Sequence, residues 1–130
     1  MIRYILLIIV FSLSTASCGD MSFGKIEGKW QLKTVERNGA TVKVDTVWYN
    51  FQSQSLFMLQ VYQTQDDRYD WSTGFRTEKD NILTIEGMDQ NITSISDWQD
   101  TARVFTIERL TRQHLTLKSS EGYLYDFIKF

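Results

Sequence analysis

Apolar and polar residues alternate along most of the chain from residue 26 to residue 130, with the two-residue period of β-strands. The pattern predicts eight strands, at residues 28–37, 44–52, 55–63, 68–77, 81–86, 103–110, 114–119 and 122–130. Asn38-Gly39 suits a tight hairpin turn, Glu121-Gly122 suits the last hairpin, and the chain contains no proline. Eight strands joined in order by short turns can curl until the first pairs with the last. We therefore predict an all-β fold, an eight-stranded antiparallel up-and-down barrel.

Residues 88–102 interrupt this rhythm, because they are too polar and irregular for a strand. A connection of that length inside a compact domain is often a lid or holds a short helix. We therefore expect this segment to gate the interior of the barrel.

The alternation also predicts which side chains point into the barrel. The predicted inner face holds Trp30, Leu32, Thr34, Val47, Tyr49, Phe51, Phe57, Leu59, Val61, Tyr69, Trp71, Thr73, Phe75, Leu115, Leu117, Tyr123, Tyr125 and Phe127. Several strands are apolar on their other face as well, at Trp48, Leu56, Met58, Leu124, Ile128 and Phe130. A shift of one residue in register would exchange the two faces of those strands.

A different pattern opens the chain: Arg3 precedes about eight consecutive apolar residues at 4–11, and small polar residues follow. This is the layout of a secretory signal peptide. A membrane-spanning helix needs roughly 20 apolar residues, so the run is too short to remain as an anchor. Cys18, the only cysteine, ends the segment and has no partner for an intramolecular disulfide.

The residues before Cys18 resemble the lipobox of bacterial lipoproteins, in which the signal is removed and the cysteine carries lipid. Ala16 and Ser17 fit that motif, whereas Thr15 stands where the family prefers leucine. The resemblance implies a lipoprotein signal peptide at 1–17, a lipidated tether at 18–25, and membrane attachment through Cys18. Gly19 after the cysteine favours the outer membrane of a bacterial cell envelope by the same resemblance. The alternative is a free thiol in an ordinary secreted protein.

Gly28-Lys29-Trp30 opens the first predicted strand and resembles the Gly-X-Trp signature of lipocalins. The stretches GKWQL, VDTVWYNFQ, SLFMLQVY and LTLKSSEGYLYDFIKF resemble the lipocalin-like lipoproteins of Bacteroides and their relatives. The resemblance spans residues 26–130 and implies one lipocalin-like barrel domain with Trp30 as the plug of its closed end. Two features depart from typical lipocalins: the domain is shorter, and no arginine is an evident cover for the tryptophan.

Charge and motif content exclude several function classes. Lys and Arg number 14 against 16 Asp and Glu, and they are scattered without a basic stripe, so we expect no nucleic-acid partner. The sequence lacks a nucleophile elbow, a phosphate-binding loop and an EF-hand pattern. The one histidine, His114, falls on a predicted outer face, and the Asp66-Asp67 and Asp97/Asp100 pairs fall in predicted loops. We therefore expect no catalytic residues, metal site or cofactor.

Aromatic residues make up 14% of the chain, and their amphipathic rings suit an apolar pocket with a few hydroxyl groups. We predict Tyr49, Phe57, Trp71, Tyr123 and Tyr125 as ligand contacts. The competing interpretation makes the same residues core, because an eight-stranded barrel either fills its interior or holds one small ligand.

Two functions remain open. The first is a lipoprotein that binds a small apolar or amphipathic ligand inside the barrel. The second is a non-enzymatic interaction or inhibitor module for an envelope protein, with a filled barrel and an outer apolar patch that would include Trp48, Met58 or Trp98. Asp45-Thr46-Val47 and Asp100-Thr101-Ala102 also resemble the O-glycosylation motif of exported Bacteroides proteins, which predicts modification at Thr46 or Thr101.

Overall fold

The computed structural model describes residues 26–53 and 55–130 of the chain, and within them it contains nine strands and one short helix. The elements in order are β1 Gly28–Arg37, β2 Ala40–Lys43, β3 Val47–Phe51, β4 Leu56–Gln63, β5 Arg68–Lys79, β6 Ile82–Gly87, α1 Asn91–Ile95, β7 Ala102–Leu110, β8 His114–Ser119 and β9 Leu124–Lys129. All paired strands are antiparallel, and β1 also pairs with β9. The sheet therefore closes into a barrel, as predicted.

The nine strands occupy eight positions in the barrel wall because β2 and β3 lie end to end along one edge of β1. Thr34 of β1 pairs with Lys43 of β2 on one side and with Asp126 of β9 on the other. The predicted second strand, 44–52, therefore missed its first half. The alternating pattern that predicts a strand was weak in β2, because all four of its residues are exposed and neither face is buried.

The interior of the barrel is largely filled with aromatic side chains. Tyr49 lies at its centre, with the ring centroids of Phe127 and Phe57 at 4.8 and 5.4 Å and those of Phe51 and Phe105 at 6.3 and 6.4 Å. All five side chains are buried. The inner faces predicted for the second, third, seventh and eighth strands are confirmed by burial, and a dense aromatic core occupies the space between them.

The inner face of β1 differs from the prediction at one position. The pairing of β1 with β9 shifts by one residue between Leu32 and Thr34, as in a β-bulge. Val35 is buried as a result and takes the inner position predicted for Thr34, which instead bonds Asp126 on the outside.

The face predicted for β5 is wrong: the side chains expected inside were Tyr69, Trp71, Thr73 and Phe75. Trp71 and Phe75 are 50% and 52% exposed, whereas Ser72, Gly74 and Arg76 face inward. The neighbouring backbone explains the reversal, since a Cβ atom on Gly74 would lie 2.4 Å from the carbonyl oxygen of Glu86. The aromatic core leaves space for small residues along this strand.

One end of the barrel, here called the closed end, is where β1 begins and β9 finishes. Trp30 is fully buried there and donates its indole N–H to the carbonyl of Ile26 at 2.8 Å. The ammonium group of Lys129 lies 4.6 Å from the centre of the Trp30 ring and donates to the carbonyl of Glu27. Gly28 makes this possible, because a Cβ atom at its φ of +128° would lie 2.1 Å from the Lys129 nitrogen. A lysine therefore covers the tryptophan.

Candidate functional site

The opposite end of the barrel, the mouth, is covered by the lid, defined here as residues 88–101 and containing α1. The Asn91 side chain donates to the carbonyl of Trp71 at 3.0 Å, which ties the helix to β5. Ile92 and Trp98 are buried in the core. The indole N–H of Trp98 donates to the hydroxyl of Tyr49 at 3.0 Å. The segment thus lies over the interior, as its polarity and length predicted.

Two arginines, two carboxylates and a tyrosine meet beside the lid; this mouth network consists of Arg37, Asp97, Arg103, Glu121 and Tyr125. Asp97, a lid residue, forms an ion pair with Arg37 and accepts a hydrogen bond from the Tyr125 hydroxyl at 2.9 Å. Arg103 lies 3.5 Å from Asp97 and donates to the Tyr125 hydroxyl at 2.6 Å. Glu121 lies 3.5 Å from Arg103 on the other side. The lid is therefore joined to the wall by charged groups.

Arg103 is the most enclosed charge of this network. Its side chain is 10% exposed, and its guanidinium lies over the rings of Tyr125 and Phe105 at 4.8 and 4.9 Å and over Trp98 at 5.7 Å. Aromatic faces stabilise a cation, and the planar guanidinium stacks on them more readily than an ammonium would. A fixed positive charge therefore lies under the lid.

The hydroxyl groups at the mouth stay protonated at neutral pH. Burial raises the pKa of Tyr49 far above the usual tyrosine value, although the charge of Arg103 opposes the shift. Burial also raises the pKa of Tyr125, against the hydrogen bond from Arg103. The Ser119 hydroxyl and the charge of Arg103 lower the pKa of Glu121. The mouth thus presents fixed cations and neutral tyrosine hydroxyl groups.

Two cavities meet at the mouth. A polar cleft of about 490 Å³ is lined by the whole mouth network together with Asp100 and Tyr123. A smaller pocket of about 150 Å³, called here the apolar pocket, is lined mainly by aliphatic side chains and by the ring of Tyr49. The two share Arg37 and Asp97, so this ion pair stands between an apolar space and a polar one. This arrangement suits a ligand with an apolar part and a polar part.

Of the five residues predicted as ligand contacts, three lie at the mouth, one lies in the core and one lies outside the barrel. Tyr49 lines the apolar pocket, and Tyr123 and Tyr125 line the polar cleft. Phe57 is fully buried in the aromatic core and lines neither cavity. Trp71 lies outside the barrel, so its predicted position on the inner wall is wrong. Cys18, the predicted lipid attachment point, lies outside the described residues.

Four residues of the mouth network were missed by the sequence reasoning: Arg37, Asp97, Arg103 and Glu121. Arg103 precedes Phe105 by two residues, so the strand period puts it on an inner face, but this indication was outweighed by the general rule that charged residues face solvent. Arg37 carried no such indication, because it lies on the inner side only through the bulge in β1. Asp97 carried no such signal, because lid residues follow no regular period.

Exposed rings form a second feature on the outer wall. The outer aromatic surface consists of Trp48, Tyr62, Tyr69, Trp71 and Phe130, with adjacent ring centroids 5.0–6.0 Å apart. Trp71 and Phe130 are half or more exposed, whereas Trp48 is 8% exposed. The indole N–H of Trp48 is buried without a hydrogen-bond partner. The interaction hypothesis also placed Trp98 on the outside. Trp98 belongs to the lid and is instead buried in the core.

Within residues 26–53 and 55–130, no grouping of histidine, cysteine and carboxylate side chains is suited to holding a metal ion. No helix in the same part of the chain has the length and apolar character to cross a bilayer.

Comparison with known proteins places these features in a family context. The family model of the lipocalin-like domain matches residues 10–130. A lipocalin-like protein from Bacteroides uniformis is similar in structure, with a TM-score of 0.71, 29% identity, and coverage of 80% of this chain and 97% of that one. A protein from Bacteroides eggerthii has a TM-score of 0.70 at 26% identity over 82% of this chain and all of that one. No curated protein sequence matches the chain.

Proposed function

The chain belongs to the lipocalin-like domain family, and on that basis we propose that it is a non-enzymatic binding protein whose barrel mouth holds a small amphipathic ligand. The carrying observation is the junction of the two cavities at Arg37 and Asp97. An apolar pocket of about 150 Å³ favours an alkyl or aromatic group, and the adjoining cleft offers arginine, carboxylate and tyrosine side chains to a polar group.

The filled core restricts where such a ligand lies. The aromatic rings around Tyr49 occupy the closed half of the barrel, so the free space is limited to the mouth. The ligand is therefore small, or it enters further by displacing the buried side chains of the lid, Ile92 and Trp98.

The test of this function is native mass spectrometry of the mature protein, purified from its own cell envelope, before and after denaturation. The expected result is a small mass that accompanies the folded protein and is lost on unfolding. A sample carrying no such mass, and failing to bind added amphiphiles in calorimetry, would contradict the proposal.

We also propose that Cys18 carries the lipid that attaches the protein to the outer membrane. The support is the signal-like segment before Cys18 and the small residues that precede it. Replacing Cys18 with serine is expected to move the protein from the membrane fraction to the soluble fraction and to abolish incorporation of labelled palmitate. A Cys18→Ser variant that remains in the outer membrane would refute the attachment.

A second candidate function is recognition of an envelope protein by the outer aromatic surface. Contiguous exposed rings mark interaction sites on soluble domains, and Tyr69, Trp71 and Phe130 expose such rings here. The double substitution Tyr69→Ser with Trp71→Ser is expected to abolish cross-linked complexes in whole cells and to leave ligand binding unchanged. Phe75→Ser, on the same face of β5 but outside the group, is the matched control.

A further inference from the structure

Asp97 is the lid residue through which the mouth network holds the lid. Its carboxylate contacts Arg37, Arg103 and the Tyr125 hydroxyl, and those three groups belong to the barrel wall. The other attachments of the lid are neutral and include the hydrogen bonds from Trp98 to Tyr49 and from Asn91 to Trp71, and the buried side chains of Ile92 and Trp98. Movement of the lid away from the mouth therefore requires that Asp97 leave three partners at once.

That movement has an apolar cost, the exposure of Ile92 and Trp98, and an electrostatic cost at Asp97. With Asp97 removed, Arg103 keeps the carboxylate of Glu121, whereas Arg37 has no other ion pair within residues 26–53 and 55–130. Arg103 is nearly enclosed by aromatic rings, and an enclosed cation that loses its partner is strongly disfavoured. A group that supplies a negative charge in the same position would remove this electrostatic cost.

We propose that the ligand is an anionic amphiphile whose carboxylate or phosphate head takes the place of the Asp97 carboxylate on Arg37, Arg103 and Tyr125. This inference rests on the proposed ligand-binding function and names the class of ligand. Arginine suits the position, because its planar group forms paired hydrogen bonds with carboxylate and phosphate oxygens. The Tyr125 hydroxyl, now bonded to Asp97, would donate to the same head group.

Because of the acidic residues around the cleft, an anionic head group must replace Asp97 and cannot simply bind beside it. Asp100 and Glu121 also line the cleft, and their negative charges oppose an anion that enters while Asp97 stays in place. At the Asp97 position itself, the two arginines outweigh them because they are in direct contact. Binding of the head and release of the lid are therefore one exchange.

The apolar tail has a place prepared for it. The apolar pocket borders Arg37 and Asp97 directly, so a head group at the Asp97 position directs its tail toward Leu32, Val35 and Tyr49. Release of the lid also withdraws Trp98 from the core, which enlarges the same space. A neutral or cationic amphiphile could use the pocket but would leave the arginines without their partner.

The test is calorimetric titration with four amphiphiles that have alkyl tails of seven or eight carbons and different head groups: octanoate, octyl phosphate, 1-octanol and octyltrimethylammonium. The barrel is complete within residues 26–130, since β1 pairs with β9, so a soluble form that begins after Cys18 serves as the protein. Octanoate or octyl phosphate is expected to bind at least about tenfold more tightly than 1-octanol, and the cationic probe not at all. The ratio of the two anions identifies the preferred head.

Two variants test the contributions of Asp97 and Arg37 to anion binding. Asp97→Asn weakens the hold on the lid and is expected to tighten anion binding several-fold, whereas Arg37→Gln is expected to weaken it about tenfold. Arg112→Gln, which removes the same charge from an exposed loop at the closed end, is the matched control and is expected to change nothing. Circular dichroism confirms that each variant is folded.

Three outcomes would overturn the proposal. Equal binding of octanoate and 1-octanol would show that the head group is not recognised, while the proposed ligand-binding function would stand. Unchanged or weaker anion binding by folded Asp97→Asn would refute the exchange with Asp97. Binding of none of the four probes would contradict both the anionic class and the ligand-binding function.

Discussion

The two ends of the barrel are closed by different means. At the closed end, Trp30 and Lys129 belong to paired strands of the wall, and the tryptophan is covered by a cation held through the carbonyl of Glu27. At the mouth, the cover is a separate segment, the lid, held by the charges around Asp97, by hydrogen bonds from Asn91 and Trp98, and by the buried side chains of Ile92 and Trp98. The closed end opens only if the sheet unfolds, whereas the mouth opens if the lid alone moves. The chain thus concentrates stability at the closed end, and the ligand access that we propose lies at the mouth.

The largest expected contrast is between the two buried tryptophans. Trp30→Ala should lower the free energy of unfolding by about 3–5 kcal/mol, because it leaves a cavity among strands that cannot separate locally. Trp98→Ala should cost clearly less, since the lid relaxes or detaches without opening the sheet. Urea unfolding of both variants measures the difference, and equal losses would show that the lid belongs to the same cooperative unit as the closed end.

The next effect tests the hydrogen bond that holds the lid to the interior. Tyr49→Phe removes the acceptor of the Trp98 indole N–H and should cost about 1–3 kcal/mol, the range for a buried donor left without a partner. Hydrogen exchange should increase in the lid and stay unchanged in β1. Tyr69→Phe, at a tyrosine of the outer aromatic surface that is 45% exposed, is the control and should alter stability by less than about 0.5 kcal/mol. Protection of the lid amides that equals wild type would argue against the bond as a lid attachment.

A smaller effect is expected at the cation over Trp30. Lys129→Met keeps a side chain of similar length but removes the charge and the hydrogen bond to Glu27, which should cost about 1 kcal/mol. Lys118→Met, at an exposed position of β8, is the control. Unfolding in urea compares the two, and a loss that is equal in both variants would mean that contact with Trp30 contributes nothing.

The smallest effect is a difference in acid response between the two ends. Burial raises the pKa of Glu78 at the closed end, against the charge of Arg76, so the folded state takes up a proton more readily there and gains stability as the pH falls through that raised value. The Ser119 hydroxyl and Arg103 lower the pKa of Glu121 at the mouth. The Glu121 carboxylate therefore stabilises the folded state above the normal glutamate pKa, and this stabilisation is lost as the pH falls through the lowered pKa. Urea midpoints between pH 3 and 6 should therefore shift in opposite directions in Glu78→Gln and Glu121→Gln. Shifts of the same sign would contradict the contrast.

Most of the barrel followed from local sequence rules, and the failures have specific causes. The alternation in β8 placed Leu115 and Leu117 inside correctly, because only one face of this strand carries a regular apolar series. In β5 the aromatic series lies outside, since the core is already filled by rings from other strands and the approach of Glu86 leaves no room for a side chain at Gly74. A single strand contains no information about how much of the interior its neighbours occupy.

The residues of the candidate site also divide into those that the sequence predicted and those that it did not. Tyr49, Tyr123 and Tyr125 were predicted as cavity residues from the strand period, and each lines one of the two cavities at the mouth. Asp97 was treated as a solvated loop acid, because nothing in its sequence context shows that Arg37 and Arg103, which lie 60 and 6 residues away in the chain, surround it.

The sequence by itself determined the β class, the turn positions, the interruption at the lid and the resemblance to lipocalins, because each depends on residues close together in the chain. Only the tertiary structure decided that the core is filled, that Trp71 lies outside, that a lysine covers Trp30 and that opposite charges hold the mouth closed. Those features depend on volume and charge contributed by distant strands, and both quantities are defined only when the barrel closes.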